Sequence, residues 1–498
     1  MSTSPINLLV LSGNQLFPAE RLPAPETTAV LMVEQQSECT RFAYHQQKLG
    51  FVLAAMREHA AYLRGSGYQV LYRKLPEPSE DDRPLGEHVL SAARELDARL
   101  VQAFPPPSRG QSRALEQALE RSGRPIRWLV DPMFLTDTDE LPQLMAGARP
   151  RMARFYSEQR RRLDVLMDGR RPLGDRWSFD KENRKALPAR QSVPELPTVH
   201  HSALTTRTLQ EVGQRFAEHP GDANSLWLPT SRDGALSWLE RFVEERLIGF
   251  GTFEDALSNR TPALFHSVLA PFLNVGLLTP DQVLEAVLKG AAERSVPLND
   301  LEGFVRQLVG WREFVRGVYL RHPDMRQKNC WGAQRSMAPT WFSGDTGIPP
   351  LDEAMSKLER YGWNHHIERL MVIANLQNLC EIHPADVYRF FMSRYIDAYD
   401  WVMVPNVFGM GLTSDGGTFA TKPYVAASNY LCRMGRYKRG PWCDIVDGLY
   451  WRFVDRHRAV LERNPRTMLM VHGLDRLSSE HRSTILAAAE SFLEAHTR

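Results

Sequence analysis

The sequence predicts a mixed architecture: an N-terminal α/β domain on a doubly wound parallel sheet, a long basic linker, and a large C-terminal all-helical domain. Three observations carry this reading. Residues 5–135 alternate short apolar runs with longer amphipathic stretches, residues 151–190 concentrate positive charge, and beyond about residue 206 the apolar pattern takes a helical period.

The strands are expected at INLLVL (6–11), TAVLMVE (28–34), YQVLYRKL (68–75), LVQAF (100–104) and IRWLV (126–130), with helices over Thr40–Arg64 and Ser112–Arg121 between them. Strands spaced by helices imply a parallel sheet, which usually carries a ligand beyond the carboxyl ends of its strands. The first strand runs into LSGNQLF. Neither a GxGxxG fingerprint nor a GxxxxGK[ST] loop follows, so dinucleotide and P-loop binding are not supported. We place the domains at 1–135, 136–205 and 206–498. In the last, SRDGALSWLERF puts Ser231 where a helix N-cap belongs. That domain is large enough to enclose a cofactor.

At 498 residues the chain exceeds one ordinary core, and its 43% hydrophobic and 24% charged content reads as globular. No apolar run approaches the roughly 20 residues of a membrane span. The N-terminus lacks a basic region ahead of its first apolar run, so no signal peptide is expected. Five scattered cysteines suit a reduced cytoplasm better than a disulfide framework. Residues 151–190 hold 12 Lys/Arg against 6 Asp/Glu, which leaves the rest of the chain net negative despite a total of +2. Such a run is either a solvated surface or a polyanion contact.

YGWNHHIERLM (361–371) places two histidines side by side near a helix start. Neighbouring helix residues point roughly 100° apart, so His365 and His366 do not chelate one metal as an i, i+4 pair does. At least one must face something of its own. A lone helical histidine is more often a satisfied core or surface residue.

FHSVLAPFLNVGLLTP (265–280), FVRQLVGWREFVRGVY (304–319), NHHIERLM (364–371), YIDAYDWVMVPNVFGMG (395–411) and DGGTFATKPYVAASNYL (415–431) occur in order. With them the chain resembles, over essentially its whole length, the prokaryotic (6-4) photolyase and cryptochrome family, a photolyase-related group usually described as iron–sulfur proteins. The resemblance implies a U-shaped FAD in the helical domain and light-driven electron transfer to a flipped-out pyrimidine lesion. It implies flavin contacts from His266, Ser267, Asn274, Gln307, Trp311, Arg312, Asp397, Met403 and Asn406. Of these, His266 and Ser267 are expected at a helix start able to cradle a pyrophosphate. His366 is implied as the proton donor or relay, with His365 as neighbour or orienter and Tyr424 on the lesion side. Arg160, Arg161, Arg162, Arg170, Arg171 and Lys181 of the linker are implied contacts for DNA phosphates. The first domain would hold an antenna chromophore, a lumazine in the best-known relatives, against Asn14, Gln15, Glu38 and Lys48. Asn14 replaces an aspartate there. The expected protein is a cytoplasmic monomer acting on UV-damaged DNA.

Three departures stand out against relatives. Pro350 occupies one cluster-ligand position, and RYKRGPWCDIVDGLYW keeps only Cys443 of the remaining three. No iron–sulfur cluster is therefore expected. Phe390 and Phe391 replace a tryptophan–tyrosine pair and Phe342 a further tryptophan, which impedes the usual photoreduction route. Met403 replaces an acidic residue beside the flavin. Repair of (6-4) photoproducts is the leading reading. A cryptochrome-like blue-light photoreceptor is the alternative, and a helical nucleic-acid-binding protein with an empty pocket the third.

Overall fold

The computed structural model describes residues 6–77, 82–120, 125–147, 149–420 and 422–498. Strands β1 (Asn7–Leu11), β2 (Thr28–Val33), β3 (Gln69–Arg73), β4 (Val101–Ala103) and β5 (Ile126–Trp128) fall inside the five expected segments. They form one sheet in the order β3-β2-β1-β4-β5, every pair parallel, with Leu9 opposite Val30 and Gln102. The order reverses beside β1, so the crevice opens where β1 and β4 end.

Period-two alternation gives the sheet two buried faces. Leu8, Val10, Ala29, Leu31, Val101 and Ala103 pack under the helix Leu85–Glu95, which periodicity did not single out. Leu9, Leu11, Val30 and Met32 belong instead to one core that continues into the helical region. The helix Gln46–Gly65 lies in that shared core, and its Arg57 pairs with Glu34 of the sheet domain at 2.7 Å and with Glu211 at 2.5 Å. It starts six residues later than expected. His45 is its cap, with Nδ1 accepting from the Gln47 N–H, while 36–40 make a short helix of their own.

The basic segment is folded rather than an open connection. It contains the helix Met152–Leu163 and a hairpin pairing Met167–Asp168 with Arg171–Pro172. Tyr156 of that helix lies so close to Gly310 that a Cβ there would meet the ring at 3.0 Å. In the helical region Ser231 caps Arg232–Glu245 by accepting from the Gly234 N–H, as expected. Near the C-terminus, Pro441–Arg456 crosses Ser479–His496 with Gly448 directly against the Ile485 carbonyl. Among the described residues no helix is long and apolar enough to cross a membrane.

Candidate functional site

Three helical stretches each contain a π-helical turn: Arg306–Arg312, Glu368–Ala374 and Pro405–Gly411. π turns are rare and concentrate at functional sites. The third has a local cause. Pro405 has no N–H to donate, and the Asn406 side-chain amide donates to the Val402 carbonyl at 2.7 Å. That carbonyl is the acceptor the Asn406 backbone would use in an α-helix.

All three turns line one cavity of about 320 Å³: Gln307 from the first, Arg369, Leu370 and Ala374 from the second, Asn406, Val407, Met410 and Gly411 from the third. His266, Ser267, Asn274, Asp397 and Met403 of the predicted set also lie on its wall. The two remaining expectations do not hold. Trp311 turns to Phe314 and Phe419, with ring centroids 6.1 and 6.0 Å away. Arg312 reaches the Met133 carbonyl at 3.3 Å and stacks over Phe134 and Trp401, so it ties the sheet domain down instead of facing the cavity. The extra residue in the π turn rotates both away from the face that Gln307 shares with the cavity. The expected helix start is also displaced. Ala270–Val275 begins three residues after Ser267, and His266 and Ser267 lie in the preceding loop.

Arg369 was not singled out from sequence. Its guanidinium holds both Asp397 oxygens at 2.9 Å, and its Nε donates to the Asn364 carbonyl at 2.8 Å. Asn274 fixes the same loop by donating to the Asp397 carbonyl at 2.9 Å. Glu254 is also on the wall and also went unread. Burial raises its carboxyl to about 7, against the pull of Arg306, and it accepts from the Gln307 amide.

The histidines divide. His365 is 1% exposed and stacks on His266, centroids 4.8 Å apart and planes 11° apart. Burial drives both well below the usual imidazole range, helped at His266 by His366 and Arg369 and at His365 by His266 and Lys357, so both are neutral. His266 Nε2 and both His365 ring nitrogens have no hydrogen-bond partner in the protein. His366 has a side chain 45% exposed at the rim, with Nε2 3.6 Å from Asp255. Tyr424 does not line the cavity. Its hydroxyl is pushed up by burial, and the charges acting on it are Asp180, Arg184 and Asp255, the last of which also faces His366. Arg184, which the sequence does not single out, pairs with Asp180 and lies in the field of Asp255 and Tyr424.

The second cleft, of about 940 Å³, opens at the carboxyl ends of β1 and β2 and takes in Asn14, Glu38 and Lys48. Gln15 is not on it, because its amide donates to the Phe104 and Pro105 carbonyls. Lys48 contributes its stem only. Its Nζ donates to the carbonyls of Met392 and Ala398 at 2.8 and 2.7 Å.

Of the basic set, Arg160 is a structural residue. It is 1% exposed, and its guanidinium is spent on the carbonyls of Val165, Leu166 and Trp177. Arg161 pairs with Glu158 at 2.8 Å and Arg162 with Glu140 at 3.1 Å, both exposed. Arg170, Arg171 and Lys181 are exposed.

Phe391 lines the cavity and stacks on Tyr395 at 5.1 Å. Phe390 sits 6.3 Å from Tyr395 and 6.1 Å from Phe342. The Cys330 thiol donates to the Thr413 carbonyl at 3.3 Å, and Cys380 is buried. Among the described residues no group of three or more His, Cys, Asp or Glu side chains could hold a metal ion.

A flavin fits this cavity. Its wall offers a charge-neutral Arg–Asp pair, the side-chain amide oxygens of Asn274, Gln307 and Asn406, whose N–H groups are already engaged, and the unpartnered His266 Nε2 and His365 Nδ1 for a polar heterocycle.

Residues 9–227 match the family described as deoxyribodipyrimidine photo-lyase-related protein, and residues 304–431 match the FAD binding domain of DNA photolyase. A (6-4) photolyase from Agrobacterium fabrum is 32% identical over 504 residues, covering 98% of this chain and 99% of that one. A deoxyribodipyrimidine photo-lyase from Alkalihalophilus pseudofirmus is 25% identical across 53% of each chain. Among solved structures, a bacterial class III photolyase from Agrobacterium tumefaciens superposes with a TM-score of 0.57 at 18% identity. A Synechocystis sp. PCC6803 cryptochrome superposes with 0.59 at 15%, each pair covering 99% of both chains. These two share the fold. By its full-length identity to the Agrobacterium fabrum enzyme, the chain belongs to the (6-4) photolyase family.

Proposed function

We propose that the chain is an FAD-dependent, light-driven DNA photolyase that repairs (6-4) pyrimidine photoproducts. The observation that carries this is one cavity with the Arg369–Asp397 pair inside it and a solvent-reaching His366 beside Asp255 at its rim. When bound and excited by light, the flavin supplies the electron that the lesion takes up.

The chain's own residues do the rest. Arg369 and Asp397 present a donor and an acceptor while adding almost no net charge, so the pair suits a flavin edge in either redox state. His266 and His365, held neutral, line the wall without supplying protons. His366 reaches solvent at the rim with its Nε2 beside Asp255, so it is the wall imidazole placed to pass a proton to a lesion there. Asp255 orients that ring. Tyr424 offers an aromatic face to an unstacked base. Arg170, Arg171, Lys181 and Arg184 supply phosphate contacts, which position a duplex without reading sequence. Met403 on the wall neither donates nor accepts a proton, so flavin protonation does not run through it. The cleft at the strand ends takes an antenna chromophore against Asn14, Glu38, Arg41 and Tyr44.

The test is His366→Ala in the FAD-loaded protein. Repair of a (6-4) oligonucleotide is expected to fall to background with flavin uptake unchanged. Repair that survives overturns the proton-donor assignment. Wild-type protein that binds flavin but never repairs supports the photoreceptor reading instead.

A further inference from the structure

The all-phenylalanine row at Phe391, Phe390 and Phe342 raises the question of which side chains can feed electrons to this cavity. Phenylalanine is far harder to oxidise than tryptophan or tyrosine. Tyr395 is the one oxidisable ring among them. It is fully buried, its hydroxyl donates to the Asn364 side-chain carbonyl at 2.9 Å, and the Arg369 guanidinium stacks over it at 4.2 Å. A phenol gives up an electron readily only when its proton can leave. An amide oxygen does not accept that proton.

A second aromatic path leaves the cavity at Trp363. Trp363 lines the cavity and is 5% exposed. Its ring centroid is 6.2 Å from Trp227, and Trp227 lies 5.6 Å from Tyr361. Trp227 and Tyr361 are both partly exposed, and the Trp227 indole N–H donates to the Tyr361 carbonyl at 2.8 Å. Trp238 flanks the same step, 5.8 Å from Trp227. The guanidinium nearest Trp363 is that of Arg369, 5.8 Å away and neutralised by Asp397. Each ring along this line can be oxidised, and the last two meet water.

We propose that Trp363, Trp227 and Tyr361 form an electron relay from the protein surface to the flavin cavity. The inference rests on the flavin reading given above. With flavin bound and excited, Trp363 would give up one indole electron to it, and Trp227 would refill Trp363. The hole moves outward to the Trp227–Tyr361 pair, loses a proton to water, and is filled by one electron from an external thiol, which is oxidised. The flavin gains what the thiol loses.

The experiment uses the full-length FAD-loaded chain under blue light with dithiothreitol, following loss of oxidised-flavin absorption and the transient tryptophan radical signal. Trp227→Phe is expected to slow photoreduction at least tenfold and to remove the long-lived radical. Trp227→Tyr, which keeps an oxidisable ring, should restore part of both. Tyr395→Phe should photoreduce like the wild type. Dark reduction by dithionite should be equal in all, showing that the flavin is bound and reducible. Wild-type rates in Trp227→Phe, loss of photoreduction in Tyr395→Phe, or no photoreduction in the wild type would each overturn the relay. Failure of the wild type to take up FAD overturns the flavin reading itself and is told apart by the dithionite control.

Discussion

Arg369 and Asp397 face each other through two parallel hydrogen bonds of 2.9 Å on the wall of the cavity, the arginine from the second π turn and the aspartate from a loop held by Asn274. Both side chains are largely buried, so removing one partner leaves the other charged and uncompensated. Asp397→Asn is expected to cost about 3 kcal/mol of stability by urea unfolding and to weaken FAD binding. A replacement that unfolds at the wild-type midpoint would show that the pair carries no such weight.

Lys48 sets a pH dependence. Burial lowers its amine to about 7 from an ordinary value of 10.5. Between those values the unfolded chain holds a proton that the folded chain does not, so stability rises with pH from about 7 toward 10. This contribution is gone once pH has fallen from 10.5 to about 7, and it amounts to at most about 5 kcal/mol. Neutral lysine keeps two N–H groups, enough for the Met392 and Ala398 carbonyls. Lys48→Met should flatten the curve of melting temperature against pH over that interval, and an unchanged slope would assign it to other groups.

Arg160 and Arg171 should separate cleanly. Arg160→Ala strips the donors from three buried carbonyls and is expected to lower the melting temperature. Arg171→Ala should leave melting alone. It should reduce the slope of log DNA affinity against log salt by about 1, as loss of one phosphate contact does. Equal melting temperatures for the two variants would refute the assignment.

Gly448 permits the helix crossing near the C-terminus. A Cβ there would sit 1.9 Å from the Ile485 carbonyl oxygen, a backbone atom that cannot swing aside. Gly448→Ala is expected to destabilise the protein by about 2 kcal/mol, read as a lower unfolding midpoint, with larger losses for Gly448→Val.

The five strands were legible because β-branched and apolar runs sit between clear breakers, and Ser231 because capping chemistry is local. The π turns were not. An α-helix with one residue too many has the same composition as one without, so the resemblance alone put Trp311 and Arg312 beside Gln307. Arg369 escaped for a related reason: a charged residue on a helix reads as solvated until its partner is known, and Asp397 lies 28 positions away. Arg160 was misread because charge runs are usually exposed, and this one donates to carbonyls of its own segment. His266 and His365 show the reverse case, two histidines whose meeting no spacing rule foretells.

The π turns also expose the chain to a particular kind of change. Deleting one residue from such a turn restores ordinary helical bonding, so the shortened protein should be as helical as its parent and harder to melt. It would also rotate half of the cavity wall out of place. Losing the cofactor would thus be a downhill step for the fold.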